Sequence, residues 1–405
     1  MRVLVINQYF YPDIAATSQI LTDLCIELNK DFDVSILCGR PSYNPIEHSK
    51  YKIFRLYYYN NCKILRVWNS SFSRKTFGGR ITNYFTFMLF AMFTSLFMKK
   101  RDVIFSMTDP PFVGFIAYII NKLKKIPYVL TLQDVHPDIE LYTGLLRKNL
   151  VINIWKKVNK LIFDNAEKIV VLGSSMKNYI MNEYNIAAEK IEIIHNYIDD
   201  EIITPQPKRN KFLLDKEFKD KFIVMHSGNM GLNQNLHIII ESAKILSYNK
   251  DIAFVFIGDG ASKNLLVSKA NSYGLRNIYF LPYQPKEELP YSLSAADIHL
   301  ITLTAGLTNY IFPSKLYGIM AVGRPIIACI DKDSDIDKII NEAKCGICIE
   351  PNNPERLADA ILKLYNKKEM LIEMGNNARS YLEKNFRRIE SIRRYKKLLA
   401  KCVSH

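Results

Sequence analysis

Residues 311–328 read IFPSKLYGIMAVGRPIIA. A Pro-Ser-Lys opens a short apolar run, Gly-Arg-Pro interrupts it, and PIIA resumes as a β-branched run. The spacing predicts a loop, a helix, a tight turn and a buried strand, which is one helix-to-strand step of a doubly wound sheet. Ser314 and Lys315 stand at the first turn of that helix. Backbone N–H groups there have no partner inside the helix, so an anion would meet donors, a hydroxyl and an ammonium together, and a diphosphate is the natural guest. Gly323 is placed to close the helix, followed by Arg324 and Pro325. The same residues also serve as ordinary turn chemistry between two packed elements.

The alternation extends in both directions. After residue 220, KFIVMHSGNMG reads as a strand and a Gly-rich turn, NLHIIIESAKIL as a helix, IAFVFIGDG as a strand and turn, and IYFLPY and DIHLITL as further strands. PIIACI, GICIE and the helix after Pro354 complete this half, and a basic helical tail follows. In the first half RVLVIN, DVSILCG, DVIFSMTDPP, PYVLTLQD, KIVVLGS and IEIIHN are strands, separated by helical runs such as SQILTDLCIELNK and VGFIAYIINKLKK. TPQPKRNKF, near Pro205, reads as a linker. Two consecutive α/β domains are expected, each a parallel sheet with helices on both faces, and ligands of such folds bind beyond the carboxyl ends of the strands. A cleft between the two domains is the expected site.

The 405-residue length suits two domains, and 48% hydrophobic with 23% charged residues is a globular balance. A net charge of +15 fits nucleic acid, an anionic membrane surface or phosphorylated small molecules, without choosing among them. Seven scattered cysteines and the absence of a signal-peptide pattern in MRVLVINQYF point to a reducing, cytoplasmic setting. Cys345 and Cys348 form a C-x-x-C with no second pair at zinc spacing, which reads as a strand rather than a metal or redox site. ITNYFTFMLFAMFTSLFM, residues 81–98, is followed by Lys99, Lys100 and Arg101 and preceded by Arg55, Lys63, Arg66, Arg74, Lys75 and Arg80. Its Thr, Asn and Ser content favours a packed helix, or one lying partly in a membrane interface, over a span.

Neither G-x-G-x-x-G nor G-x-x-x-x-G-K-[ST] occurs, so dinucleotide and P-loop sites are not indicated. SGNMG, residues 227–231, offers close backbone approach and a helix start to a phosphate. Asp259, between two glycines, reads by default as a turn residue. Pro282, Tyr283 and Gln284 follow a strand where backbone groups could meet a base edge. No zinc-finger, recognition-helix or RNA-type aromatic motif favours nucleic acid.

Taken together, NQYFYPDIAATSQ, TDPPFVG, LQDVHPD, HNYID, SGNMG, FIGDG, FLPYQPKEELP, AADIHLITL and PSKLYGIMAVGRPIIA, in this order, resemble the family 4 glycosyltransferases of GT-B fold (RfaB-like). The likeness is nearest to the exopolysaccharide and O-antigen branch with L-fucosamine-type transferases. It implies an acceptor domain over 1–203, a nucleotide-sugar domain over 204–385, and a C-terminal helix, 386–405, packing back on the first. It further implies metal-free, retaining transfer from a nucleotide-diphosphate sugar, most simply UDP-linked, with no cofactor. The acceptor is a saccharide, lipid-linked by a polyprenyl diphosphate, at the inner face of the plasma membrane.

Carried over by residue, Gly228, Asn229 and Gly231 would face the diphosphate, with Asp259 nearby, and Tyr283 and Gln284 the base. Thr308, Pro313, Ser314, Lys315, Leu316 and Tyr317 would face phosphates and sugar. Asp134 and His136 would face the reacting sugar, or else form a turn held by an Asx bond. Asp13, Thr17 and Ser18 would lie on the acceptor side. The pattern departs where relatives carry glutamates, at Tyr310 and Gly318, and where they carry Arg and Lys, at Asn229 and Gln234. Lys315, with Arg324, is then expected to supply the missing charge. Two alternatives stay open: a nucleotide-sugar 2-epimerase using Asp13, Asp134 or Asp138, and a nonenzymatic membrane-surface binder.

Overall fold

The structure is a computed structural model that describes residues 1–13, 15–41, 53–73 and 77–403. Ile14 of the NQYFYPDIAATSQ stretch, and Arg74 and Lys75 of the basic set, lie outside the described residues. The chain forms two compact units, one of Met1–His195 with Ile389–His405, the other of Asn196–Arg388.

The first unit is built on an eight-stranded sheet. Its strands are β1 (Arg2–Ile6), β2 (Asp33–Cys38), β3 (Phe54–Tyr59), β4 (Cys62–Val67), β5 (Val103–Met107), β6 (Tyr128–Thr131), β7 (Lys168–Val171) and β8 (Ile191–Ile193). They lie in the order β3-β4-β2-β1-β5-β6-β7-β8. Pairing is parallel throughout, except that β3 returns antiparallel beside β4. β5 and β6 are buried along their whole length, as expected of strands covered on both faces. The last helix, Arg388–Lys401, joins this unit from Ile389 on. Its fully buried Tyr395 meets Phe105 edge-to-face at 5.6 Å and lies 3.4 Å from the Thr131 hydroxyl.

The second unit carries a wholly parallel six-stranded sheet, β9 (Phe222–Ser227), β10 (Ile252–Ile257), β11 (Ile278–Leu281), β12 (Ile298–Thr302), β13 (Ile326–Cys329) and β14 (Gly346–Ile349), in the order β11-β10-β9-β12-β13-β14. Phe222, Val224, Ile252, Phe254 and Phe256 enter one apolar cluster, and the intervening Ile223, Met225, Ala253, Val255 and Ile257 enter the other. Period-two alternation thus feeds two cores, so helices must cover both faces. Each unit is a Rossmann-like α/β domain.

The strand order places the site. In the second unit β9 has β10 on one side and β12 on the other, so the chain's winding reverses there and the loops after β9 and β12 diverge. SGNMG leaves the end of β9, and the 303–314 loop leaves β12. In the first unit the reversal lies between β2 and β5, on either side of β1.

The segment 196–204 belongs to the second unit: the Asp200 carboxylate accepts from the Arg388 N–H at 3.1 Å and from Arg387 at 3.3 Å. Cys348 lies on β14 and Cys345 immediately before it; all seven cysteines are free thiols, and burial pushes the Cys345 thiol up to about 12. Among the described residues, no group of three or more His, Cys, Asp or Glu could hold a metal ion, and no helix is long and apolar enough to cross a membrane.

Candidate functional site

Two glycine loops of the second unit are laced together at the carboxyl edge of its sheet. The Gly228 N–H donates to Ile257 O, the Met230 N–H to Asp259 O (both 2.8 Å), and the Ser262 N–H to Met230 O at 2.9 Å. Gly258 and Gly260 sit at φ +140° and +155°, a region only glycine enters without strain. A Cβ on Gly258 would stand 2.0 Å from Gly228 O, and one on Gly260 2.5 Å from Met230 O. Glycine here serves close approach of backbone to backbone. Asp259 is consumed by this turn, its carboxylate accepting from the Gly260 N–H at 2.8 Å. Lys263 brings an ammonium to the second loop, donating to Gly258 O at 3.2 Å.

Lys315 begins the helix Lys315–Ala321 after the β12 loop, and its ammonium donates to Gln234 Oε1 at 2.8 Å. Among the described residues no carboxylate forms an ion pair with it. Although Lys315 keeps a minor solvent contact, its dense surroundings pull the pKa down from 10.5 to about 7. Two imidazoles lie in the same interior. Burial pushes His226, on β9, well below the usual histidine range, the Lys315 charge acts the same way, and the Asn229 backbone opposes. His299 is lowered to about 4 by burial and hydrogen-bonds Leu293 O at 2.8 Å. Neutral imidazoles and a lysine with no carboxylate partner among the described residues leave the charge here uncompensated, a setting that favours an incoming anion. The Gln234 turn is held to the end of β12, where the Thr302 hydroxyl donates to Gln234 O and the Thr304 hydroxyl to Asn233 O.

Several expectations need correction. The helix after Pro313 has only seven residues, and Ser314 caps it without a side-chain hydrogen bond. Leu316 and Tyr317 are core residues: Leu316 is fully buried, and Tyr317 packs between Phe312 at 5.9 Å and Phe386 at 5.3 Å. Only their backbone could meet a ligand. Arg324 points to Gln206 O (3.3 Å) and Ser294 O (2.5 Å), fastening the linker rather than offering charge. The Thr308 hydroxyl donates to Asp331 at 3.0 Å, alongside the Gly306 N–H at 2.8 Å, so it braces its loop. Tyr283, half exposed, reaches Asp259 O at 3.3 Å, and the Gln284 amide folds back onto Pro282 O at 2.9 Å. Gly318, where the resemblance would put a glutamate, faces Ile198 and Leu293 at 3.3 and 3.5 Å from an added Cβ, an apolar and crowded setting.

In the first unit, Asp134 and His136 follow β6. His136 Nδ1 lies 2.6 Å from Glu140 Oε1, and the His136 carbonyl accepts from the buried Asn159 amide at 2.6 Å. Burial lowers the His136 pKa, but the hydrogen bond and charge of Glu140, with Asp134 and Asp109, outweigh it and leave it raised. Burial also raises Glu140; the bond and charge of His136, with Arg80 in support, turn the balance and leave it lowered. Asp134 is raised by burial, partly offset by His136. The pocket beside Asp134 and His136, lined also by Thr108 and Asn159, has room for about one water and is too small for a sugar. Asp13 is buried, Thr17 half-buried, and Ser18 buried in the first turn of the helix Ala16–Leu28.

The raised histidine stabilises the fold below pH 6.5 and loses this as pH climbs through its folded pKa. The lowered glutamate stabilises above pH 4.5 and loses this as pH falls through its folded pKa. The pair is therefore most stabilising between about 4.5 and 6.5. Glu140→Gln is expected to remove the charge that does most to raise His136 and move its titration down, with Asp134 and Asp109 left to oppose burial. NMR of the His136 ring checks this; an unmoved titration would show the pair to be electrostatically idle.

Comparison with known proteins matches the two units to two family descriptions, Glycosyltransferase Family 4 over residues 18–202 and Glycosyl transferases group 1 over residues 209–381. The chain is 27% identical over 328 residues to "Probable glycosyltransferase WbjE" of Pseudomonas aeruginosa, covering 80% of this chain and 79% of the relative. It is 27% identical over 309 residues, 73% of each chain, to WcaI of Escherichia coli K12, named for colanic acid biosynthesis. Among solved structures, Anabaena HepE with UDP and glucose superposes with a TM-score of 0.77 at 15% identity, covering 99% of this chain and 100% of that one. Sucrose-phosphate synthase from Thermosynechococcus elongatus gives 0.80 at 13%, covering 100% and 99%. With one description on each unit and the same fold in these structures, the chain is a GT-B glycosyltransferase of the family 4 and group 1 type.

Proposed function

We propose that the second unit holds a nucleoside-diphosphate sugar, UDP-linked, with its diphosphate against Lys315 and the Gly228–Gly231 loop, and that the sugar is transferred with retention. The observation that carries this is Lys315: a lysine without a carboxylate partner, at the carboxyl edge of the sheet, beside two interlocked glycine loops. As the glycosidic bond breaks, charge gathers on the leaving diphosphate, and donors already aimed at its oxygens lower the barrier. Lys315 and Lys263 bring the cations at these loops that can do so without a metal. HepE, the structural neighbour solved with UDP and with UDP-glucose, supports a UDP-linked donor.

The acceptor is proposed to be a lipid-linked saccharide of a cell-surface polysaccharide, engaged by the first unit, with the protein peripheral to the membrane. Two relatives named for polymers support a polymer product, WcaI for colanic acid biosynthesis and the poly(ribitol-phosphate) alpha-N-acetylglucosaminyltransferase of Staphylococcus aureus, and WbpZ of Pseudomonas aeruginosa is named a D-rhamnosyltransferase. The 2-epimerase alternative is weakened by Asp138, which is taken up by Tyr179 and Tyr184 (both 2.7 Å) and Lys156 (2.6 Å).

A thermal-shift screen of nucleoside diphosphates and their sugars tests the donor site. At a concentration about 100 times Kd, UDP should add about 2.7 kcal/mol, or roughly 5–10 °C in Tm for a unit of this size. No shift with any nucleoside diphosphate would count against the reading.

A further inference from the structure

The helix Phe77–Phe97 is apolar on its outward face as well as its inward one. Its inward residues at four-residue spacing are Asn83, Phe87, Ala91 and Ser95, all buried. Asn83 hydrogen-bonds the Ser70 hydroxyl at 2.7 Å and the Phe72 backbone at 3.0 and 2.9 Å, so polar contacts seat the helix on its own unit. Outward, at the same spacing, stand Ile81, Phe85, Leu89, Phe93 and Phe97, which are 48, 61, 44, 60 and 75% exposed. Half-buried Met88, Met92 and Leu96 widen the strip. A solvated helix face is ordinarily polar, and a contiguous apolar face of this size marks an interaction site.

We propose that this face rests on an anionic lipid bilayer. The proposal rests on the functional reading's placement of the protein at a membrane, to which it assigns a surface, and its test is independent of donor chemistry. Charge selects the partner. Exposed Arg80 stands at one end of the strip and exposed Lys99 and Lys100 at the other, bracketing about 28 Å of helix. No Asp or Glu occurs between Phe77 and Arg101. Lys124 completes the basic end by donating to the last carbonyls of the helix, Ser95 O at 3.2 Å and Met98 O at 2.9 Å. Anionic headgroups neutralise such cations while the phenyl rings enter the acyl boundary. A second copy suits the face less well. Pairing the helix with itself, parallel or antiparallel, brings cation against cation at both ends, and the acids that face these ends, Glu140 toward Arg80 and Asp33 toward Arg101, are already engaged within the unit.

Flotation with vesicles decides the matter. The full chain should bind phosphatidylcholine vesicles containing about 30% phosphatidylglycerol at least tenfold more tightly than pure phosphatidylcholine, and more weakly as salt rises. Phe85→Ser/Phe93→Ser/Phe97→Ser should weaken binding at least tenfold while keeping its melting temperature and its UDP-induced shift. Lys99→Glu/Lys100→Glu, which leaves the rings intact, should weaken anionic binding by at least about 25-fold, from roughly fivefold per cation. Equal flotation of wild type and the triple serine variant, or no flotation of wild type on anionic vesicles, overturns the proposal. So does a dimer, seen by light scattering, that the serine variant dissociates; that result assigns the face to a second copy. Loss of the UDP shift with flotation intact removes the donor reading and leaves this one standing.

Discussion

Lys315→Met is expected to lower kcat/KM at limiting donor by about 10²–10³, the usual effect of removing one preorganised donor from a developing anion. Stability should not suffer. The folded pKa of Lys315, about 7, lies below the ordinary 10.5, so between these values the unfolded chain binds more protons and stability rises with pH. Below about pH 7 the burial cost of the charged lysine is fully present, and methionine removes it. Initial rates alongside melting curves separate the two effects. Full turnover by the variant would sink the assigned role, since among the described residues no other cation is bonded to Gln234.

The same shift predicts a pH dependence of donor binding. Below about pH 7 the free protein already carries the charge. Above it, a bound diphosphate must draw a proton onto Lys315, so affinity falls by up to tenfold per pH unit until the bound-state pKa is reached. A nucleotide sugar is the suitable probe because its diphosphate does not titrate in this range. Lys315→Met should flatten the profile.

What was legible beforehand follows from how local each feature is. The strands announce themselves through β-branched runs and the turns through glycine and proline, so the second unit's sheet and six of the first unit's eight strands can be read directly, whereas the tyrosine- and charge-rich FRLYYYNNCKILRV hides the β3–β4 hairpin with its antiparallel β3. Lys315 is singled out in the sequence by its Pro-Ser-Lys turn, but its acceptor Gln234 is remote in sequence and its lowered pKa comes from burial, and neither shows in that turn. Arg324 misleads for a related reason: its acceptors, Gln206 O and Ser294 O, are remote in sequence and come near only when the linker docks. Tyr317 and Leu316 mislead because a seven-residue helix gives too few turns to show which face is buried. Glu140 hides behind the motif read for Asp134 and His136; its signal is the four-residue spacing from His136, which matters only once the chain is seen to turn into the helix Asp138–Tyr142. Lys263 is visible in FIGDGASKN, yet its ammonium acquires meaning only when the two glycine loops are found side by side.

That pairing of loops supports the second large effect, expected for Gly258→Ala. The new Cβ would fall 2.0 Å from Gly228 O and 3.0 Å from Gly228 C, both backbone atoms, at a φ of +140°. No rotamer relieves a clash between Cβ and backbone, so the loop after β9 must withdraw or the end of β10 must bend. Tyr283, whose ring lies 3.4 Å from the same Cβ position, would be displaced with it. A stability loss of at least about 3 kcal/mol is expected from strain and steric conflict together. UDP affinity should fall at least about tenfold in the fraction that folds, because Gly228 through Gly231 no longer hold their place. Gly274→Ala provides the comparison: it too sits at positive φ, +64°, but nothing lies within 4 Å of its Cβ, so it should cost only about 1–2 kcal/mol and leave UDP binding unchanged. Urea unfolding and calorimetric titration of both variants read the difference. A Gly258→Ala protein as stable as Gly274→Ala, with wild-type affinity for UDP, would mean that the two loops do not form one donor-binding surface.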